Sequence, residues 1–291
     1  MGNFVVAGLP AYVQENKEML IKNFALVGGG TRSRISVQTG VKSSAAINFL
    51  EVNPTLQDGN VCGFTAQGDV TLTQRVIETK TKKVNLEICP ETLRGKYAEY
   101  LISTSATEAS LPFEQYIMEG LTNSLNKTIE KAIWQGEGDV RGFAQTIDTP
   151  VAVSADGDIY DEIEAVYMAI PEEALAYGAE IYVSPADYRK FLLALVKKNY
   201  YHYASATEAA PAEFFFPGTD AKVVKTDGLT GTNVIYGTFA KNLFYGCDME
   251  GDAEDIKVWW SDDDQVYKVL AKWNMGTQVA FPNLVAKYTR A

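Results

Sequence analysis

The spacing of apolar residues changes period several times along the chain, and each change marks an element. Between residues 46 and 90 the period is two. Val70, Leu72 and Val76 alternate with Thr71, Thr73 and Arg75, and Val84, Leu86 and Ile88 alternate with Lys83, Asn85 and Glu87. This alternation predicts two half-buried strands, with Glu78-Thr79-Lys80-Thr81-Lys82-Lys83 as a polar tip between them. A two-stranded ribbon is marginal by itself in water, so this one is expected to lie on another surface.

From residue 111 to 135 the period becomes four. Phe113, Ile117, Leu121, Leu125, Ile129 and Ile133 predict a long helix, with Pro112 in its first turn and Gly136 as its stop. Each step of four drifts by about 40°, so the ridge winds roughly 200° around a rod of ~36 Å and is packed on more than one side. Residues 157–245 read as α/β. Asp156-Gly157-Asp158 suits a turn and helix cap, and Ile159, Ile163, Val166 and Ile170 mark a helix that ends at Pro171. Glu180 to Val183 is a short apolar strand. Ser184 and Pro185 then open a helix whose Tyr188, Phe191, Leu192, Leu195 and Val196 share one face. Lys257–Trp260 and Val266–Trp273 predict a hairpin around Asp262-Asp263-Asp264, with Tyr267, Val269, Ala271 and Trp273 on one side.

Composition narrows the classes. The 291 residues are 46% hydrophobic with net charge −11, which fits a folded globular chain and argues against nucleic-acid binding over the whole surface. No apolar run approaches the ~20 residues that span a bilayer, and no signal peptide is legible in Met1–Pro10. Charge is uneven. Residues 1–45 carry Lys17, Lys22, Arg32, Arg34 and Lys42 against Glu15 and Glu18, whereas residues 205–270 carry twelve acidic residues against five basic ones. A basic arm with Arg32 and Arg34 is thus suited to an acidic face of another copy. Cys62, Cys89 and Cys247 are scattered, as in reduced chains, and are expected to be small buried hydrophobes.

Candidate chemistry is thin. The lone His202 follows a helix in Tyr200-Tyr201-His202-Tyr203 without a nucleophile elbow, and no cysteine has a second metal ligand at short spacing. Gly28-Gly29-Gly30 lacks the Lys-Ser/Thr ending of a phosphate loop, and Gly136, Gly138 and Gly142 are misspaced for a dinucleotide fingerprint. The acidic run 262–264 reads as a solvated turn, and Asn126-Lys127-Thr128 falls within a helix. No catalytic, cofactor-binding or metal-binding residue is assigned.

Several phrases fall in a familiar order. Gly136-Glu137-Gly138 and Arg141-Gly142-Phe143 leave the long helix. Ile181-Tyr182-Val183-Ser184-Pro185-Ala186-Asp187-Tyr188 joins a strand to a helix, and Val234-Ile235-Tyr236-Gly237-Thr238-Phe239 precedes Asn242-Leu243-Phe244-Tyr245-Gly246. The tail Trp273 to Val285 carries Gly276, Val279 and Pro282. In these phrases and their order the chain resembles the major capsid proteins of tailed double-stranded DNA bacteriophages, which have the Hong Kong 97 fold.

The resemblance implies an α+β fold: an N-terminal arm (1–45), an extended β-loop (46–90), a peripheral domain (91–145) with spine helix 111–135, an axial α/β domain (146–245) and a return to the peripheral domain (246–291). It implies a structural protein, not an enzyme, and no cofactor. Copies would assemble in the host bacterial cytoplasm through pentamers and hexamers into an icosahedral virion shell. That shell would enclose loosely held DNA and use a portal and separate scaffolding or decoration proteins, with no membrane. Many relatives carry a scaffolding segment before the arm; none is legible ahead of this arm, so a separate scaffold or none is expected. Some relatives crosslink through a Lys–Asn isopeptide bond, and no such residue is assigned here. Phe64, Val70, Leu72, Lys80, Lys82, Lys83, Arg32 and Arg34 are the candidate assembly residues. An encapsulin-type compartment shares the fold and is the nearest alternative; an acidic α+β enzyme using carboxylates is the alternative of another class. Deleting Phe64 to Lys83 is expected to leave a folded subunit that forms no shells.

Overall fold

The computed structural model describes residues 10, 13–14, 16, 29–53, 55, 68–89, 113–198, 213–248 and 257–290. His202, Cys62 and Phe64 lie outside these residues. In chain order the elements are α1 (Gly29–Arg32), β1 (Ser36–Gln38), β2 (Ser44–Asn53), β3 (Asp69–Glu78), β4 (Lys80–Ile88), α2 (Phe113–Gln135), α3 (Phe143–Thr146), β5 (Val151–Val153), α4 (Ile159–Ala169), α5 (Glu172–Leu175), β6 (Ala179–Val183) and α6 (Pro185–Lys197). They continue with β7 (Glu213–Phe215), β8 (Lys222–Lys225), β9 (Val234–Phe239), β10 (Leu243–Cys247), β11 (Lys257–Ser261), β12 (Val266–Val279) and β13 (Ala286–Thr289).

Two sheets divide the body. One runs β5-β13-β9-β6-β8-β7; in the other the long β12 pairs with β11 and β10 along one edge and with β4 along the opposite edge. Every residue of β6 is buried, as its unbroken apolar run requires of a strand flanked on both sides. The parallel β6–β8 pair needs a crossover, and α6 lies on that connection. Ser184 caps α6 by accepting from the Asp187 N–H, with Pro185 in the first turn. Asp158 caps α4 by accepting from the Tyr160 and Asp161 N–H groups. At the other end of the chain, Arg290 binds Glu162 and lies 3.2 Å from Asp187, so two buried carboxylates share one guanidinium.

The winding ridge of α2 serves both sheets. Near its start, Met118 packs with Val258, Val269 and Ala271 of the β12 sheet, flanked by Ile117, Leu121 and Trp273. Near its end, Ile129, Ile133 and Trp134 pack with Tyr182 and Tyr236 of one sheet and with Leu243, Tyr245 and Val279 of the other. Trp134 is fully buried, 5.0 to 5.4 Å from the rings of Phe143, Tyr182 and Tyr236. Its indole N–H donates to Thr31 Oγ1 at 2.9 Å. Gly228 fits against it because any Cβ there would stand 2.1 Å from the indole Cδ1.

One turn before Trp134, Glu130 meets Arg32 in a buried ion pair, with Nε to Oε1 at 3.4 Å. Burial pushes the Glu130 carboxyl above its usual range, and Arg32 pulls it back. A folded carboxyl that holds its proton more tightly than an unfolded one favours the fold most in acid. Its contribution declines as pH rises from 4.5 through the raised value. Arg34 pairs with Glu180 on β6 at 2.5 Å, and Tyr182 donates its hydroxyl to the same carboxylate at 2.7 Å.

These pairs correct two expectations. Arg32 and Arg34 do not project toward another copy; they tie α1 and its successor to α2 and β6 of their own chain, because carboxylates buried at those positions need a partner. The arm also ends earlier than residue 45, since β1 runs parallel with β10 inside the β12 sheet. Cys247 is buried, and burial pushes its thiol up to about 11, but Cys89 is exposed at the end of β4. The final residues of that strand point alternately outward, which is why an apolar assignment fails there.

Truncating Trp134 to Ala removes the largest buried side chain in the junction and is expected to cost about 3–5 kcal/mol in urea unfolding. Glu130→Leu strands the Arg32 charge and is expected to cost about 3 kcal/mol, while the double change Arg32→Met with Glu130→Leu recovers most of that loss.

Candidate assembly surface

The extended ribbon is built from a different pair of strands than the sequence predicts. β2 and β3 run antiparallel over their full length, from Ser44 opposite Glu78 to Asn53 opposite Asp69. β4 does not pair with β3; it joins β12, with Lys80 opposite Met275 and Ile88 opposite Tyr267. Thr79 is the switch. Its N–H donates to Ser43 O at 2.9 Å, its hydroxyl to Val41 O at 3.1 Å, and the residue is buried. Glu78 to Lys83 holds no Gly, Pro, Asn or Asp to turn the chain, so the strand continues and changes partner. Gly276 on β12 makes room for this, because a Cβ there would lie 2.1 Å from Glu78 O.

The ribbon has two unlike faces. On the inner one, Ile47 and Ile77 are buried, and the Phe49 ring lies 4.8 Å from Phe281 and 6.0 Å from Phe244. Gln278 Nε2 donates to Val76 O at 2.8 Å, and Arg75 lies 3.6 Å from Asp148. On the outer face Leu50 stands opposite Leu72, with Val70 and Val76 to either side. These four are 64%, 70%, 61% and 43% exposed. Leu50, Leu72 and Val70 adjoin, and the polar Asn48–Gln74 pair separates them from Val76; exposed apolar side chains grouped on a firmly rooted ribbon mark a contact surface.

Of the expected assembly residues, Val70 and Leu72 therefore lie together on the outer face, and Phe64 falls outside the described residues. Lys80, Lys82 and Lys83 are not at a loop tip. They begin β4 within the β12 sheet, Lys82 opposite Trp273 and Lys83 opposite Lys272. Lys82 also bonds Asp139 at 2.5 Å and holds that carboxyl below its usual range. Deletion of residues 64–83 would thus remove the fully buried Ile77, the Thr79 switch and half of β4; a folded subunit is no longer the expected result. Leu50 is a candidate contact residue that sequence reading missed. Ala45 to Val52 is apolar on both faces, so it shows no clean alternation.

Among the described residues no group of three His, Cys, Asp or Glu side chains could hold a metal ion. No described helix is long and apolar enough to cross a membrane. The acidic run 262–264 sits exposed in the β11–β12 turn, where Asp264 accepts from Ser261 and pairs with Lys268.

Comparison with known proteins agrees with this architecture. The fold superposes on a virus-like particle from Pyrococcus furiosus (12% identity, 94% of this chain and 98% of that one, TM-score 0.54). It also superposes on a chain of Microbacterium phage Oxtober96 (11% identity, 90% and 91%, TM-score 0.57). A third match is the procapsid of satellite phage P4, solved with its size determination (Sid) protein (10% identity, 96% and 98%, TM-score 0.55). At such identities the likeness establishes the fold, an α+β capsid fold of the Hong Kong 97 type. A search of curated protein sequences returns no match. The model of the phage capsid family matches residues 97–246, just over half of the sequence and including the spine helix and most of the β5–β10 region. The chain belongs to the phage capsid family.

Proposed function

We propose that copies of this chain join through pentamers and hexamers into an icosahedral shell around phage double-stranded DNA. The protein is a structural capsid shell protein, as its family membership shows, and its association with other copies of itself is supported by neighbours that are capsids or virus-like particles. The outer face of the β2–β3 ribbon carries the finer reading: Leu50, Val70, Leu72 and Val76 remain largely exposed in their own subunit, and a neighbouring copy supplies the missing cover. The acidic net charge of −11 supports loose contact with packaged DNA, since tight phosphate binding needs clustered basic residues. Assembly in the host cytoplasm, a portal at one vertex and separate scaffolding or decoration proteins complete the proposal. The encapsulin alternative shares the fold, and the family match favours the phage capsid.

Leu50→Asp with Leu72→Asp tests the ribbon without touching the buried core. The subunit is expected to unfold within about 0.5 kcal/mol of the parent in urea, because surface substitutions cost little. Its sedimentation is expected to show capsomer-sized or smaller species and no shells. Shells of normal size from this variant would remove the ribbon face from the assembly contact.

A further inference from the structure

A groove of about 740 Å³ opens where α2, β4 and β12 meet the turn at Asp227. Its floor is apolar, formed by Val84, Ile129, Ala132, Trp273 and Met275. Its rim carries four lysines, Lys82 and Lys83 from β4 and Lys127 and Lys131 from successive turns of α2, against the carboxylates of Glu137 and Asp227. Lys82 is engaged by Asp139, whereas Lys127 and Lys131 are exposed and pair with no carboxylate among the described residues. The Trp273 indole N–H is buried with no acceptor among the described residues. An occupant that brings both carboxylates and apolar surface would satisfy the rim and the floor together.

The chain presents such a segment elsewhere. The β11–β12 hairpin ends in Asp262, Asp263 and Asp264, all exposed, with Asp264 already tied to Lys268. Just behind the turn, Trp259 and Trp260 are 43% and 40% exposed, and exposed tryptophans beside charged groups are typical anchors of protein contacts. The tip cannot reach the groove of its own subunit. Trp273 in the floor and Val266 at the turn belong to one strand, β12, which holds them roughly 24 Å apart at about 3.4 Å per residue. Because each copy carries net charge −11, copies repel unless lysines meet carboxylates at their contacts.

We infer that the Lys127–Lys131 groove receives the acidic, tryptophan-flanked β11–β12 tip of a second copy of this chain. This inference rests on the shell reading above and adds a second contact, separate from the ribbon. Reciprocal charge reversal tests it in the full-length protein. Lys127→Glu with Lys131→Glu, and separately Asp262→Lys with Asp263→Lys, are each expected to raise the protein concentration needed for assembly by on the order of tenfold. The chain carrying all four changes is expected to assemble near the parent's threshold. Melting temperatures verify that every variant is folded. Either reversed pair assembling like the parent overturns the groove contact and leaves the shell reading intact. So does failure of the fourfold variant to recover, or shells of normal number that differ only in DNA content. A parent chain that forms no shells contradicts the shell reading itself, and the contact with it.

Discussion

The joint between the two sheets is arranged around the burial of Trp134 beside the Arg32–Glu130 ion pair. The spine helix meets both sheets through large side chains. Trp134 contacts rings from β6 and β9, while Ile133 and Ile129 share a core with β10 and β12. A charge buried next to such a residue is costly unless matched, so α1 must be present for the helix to pack at all. The N-terminal segment thereby becomes part of the body. The orientation of the two sheets is set by a close-packed joint, which has discrete arrangements and resists gradual flexing.

The second organising feature is the continuous strand from Asp69 to Ile88. Its first half pairs with β2 in a ribbon that packs one face on the body and exposes the other; its second half is locked into β12. The break is one residue long, at Thr79. A ribbon rooted this way transmits force directly into the sheet that lies beneath the spine helix. The same subunit can therefore hold an apolar strip in the solvent at low entropic cost, with Phe49, Ile47 and Gln278 fixing its base.

Much of this was legible from residue spacing because the elements concerned satisfy local and tertiary demands together. The spine helix, the Ser184–Pro185 cap, the Asp158 cap and the β11–β12 hairpin all follow from periodicity and cap chemistry within a few residues of each other. Strand pairing was not legible. Val70–Val76 and Val84–Ile88 alternate equally well, and nothing in either strand says that its partner is β2 or β12; the hydrogen-bond partners are fixed at long range. Charge misled for the same reason. Arg32 and Arg34 look like free basic residues in sequence, but their partners, Glu130 and Glu180, lie about a hundred residues or more away along the chain. The family resemblance supplied an expected order of domains, and the structure supplied which strands build the ribbon.

The central claim is that the ribbon's outer face is covered by a neighbouring copy in a closed shell. Electron cryomicroscopy of particles formed by the purified full-length chain, co-expressed with its scaffold if one is required, measures this directly. The account predicts closed icosahedral particles in which Leu50 and Leu72 are buried against the adjacent subunit. Particles whose ribbon face remains open to solvent, or a chain that stays monomeric at every concentration and with every scaffold, would contradict it.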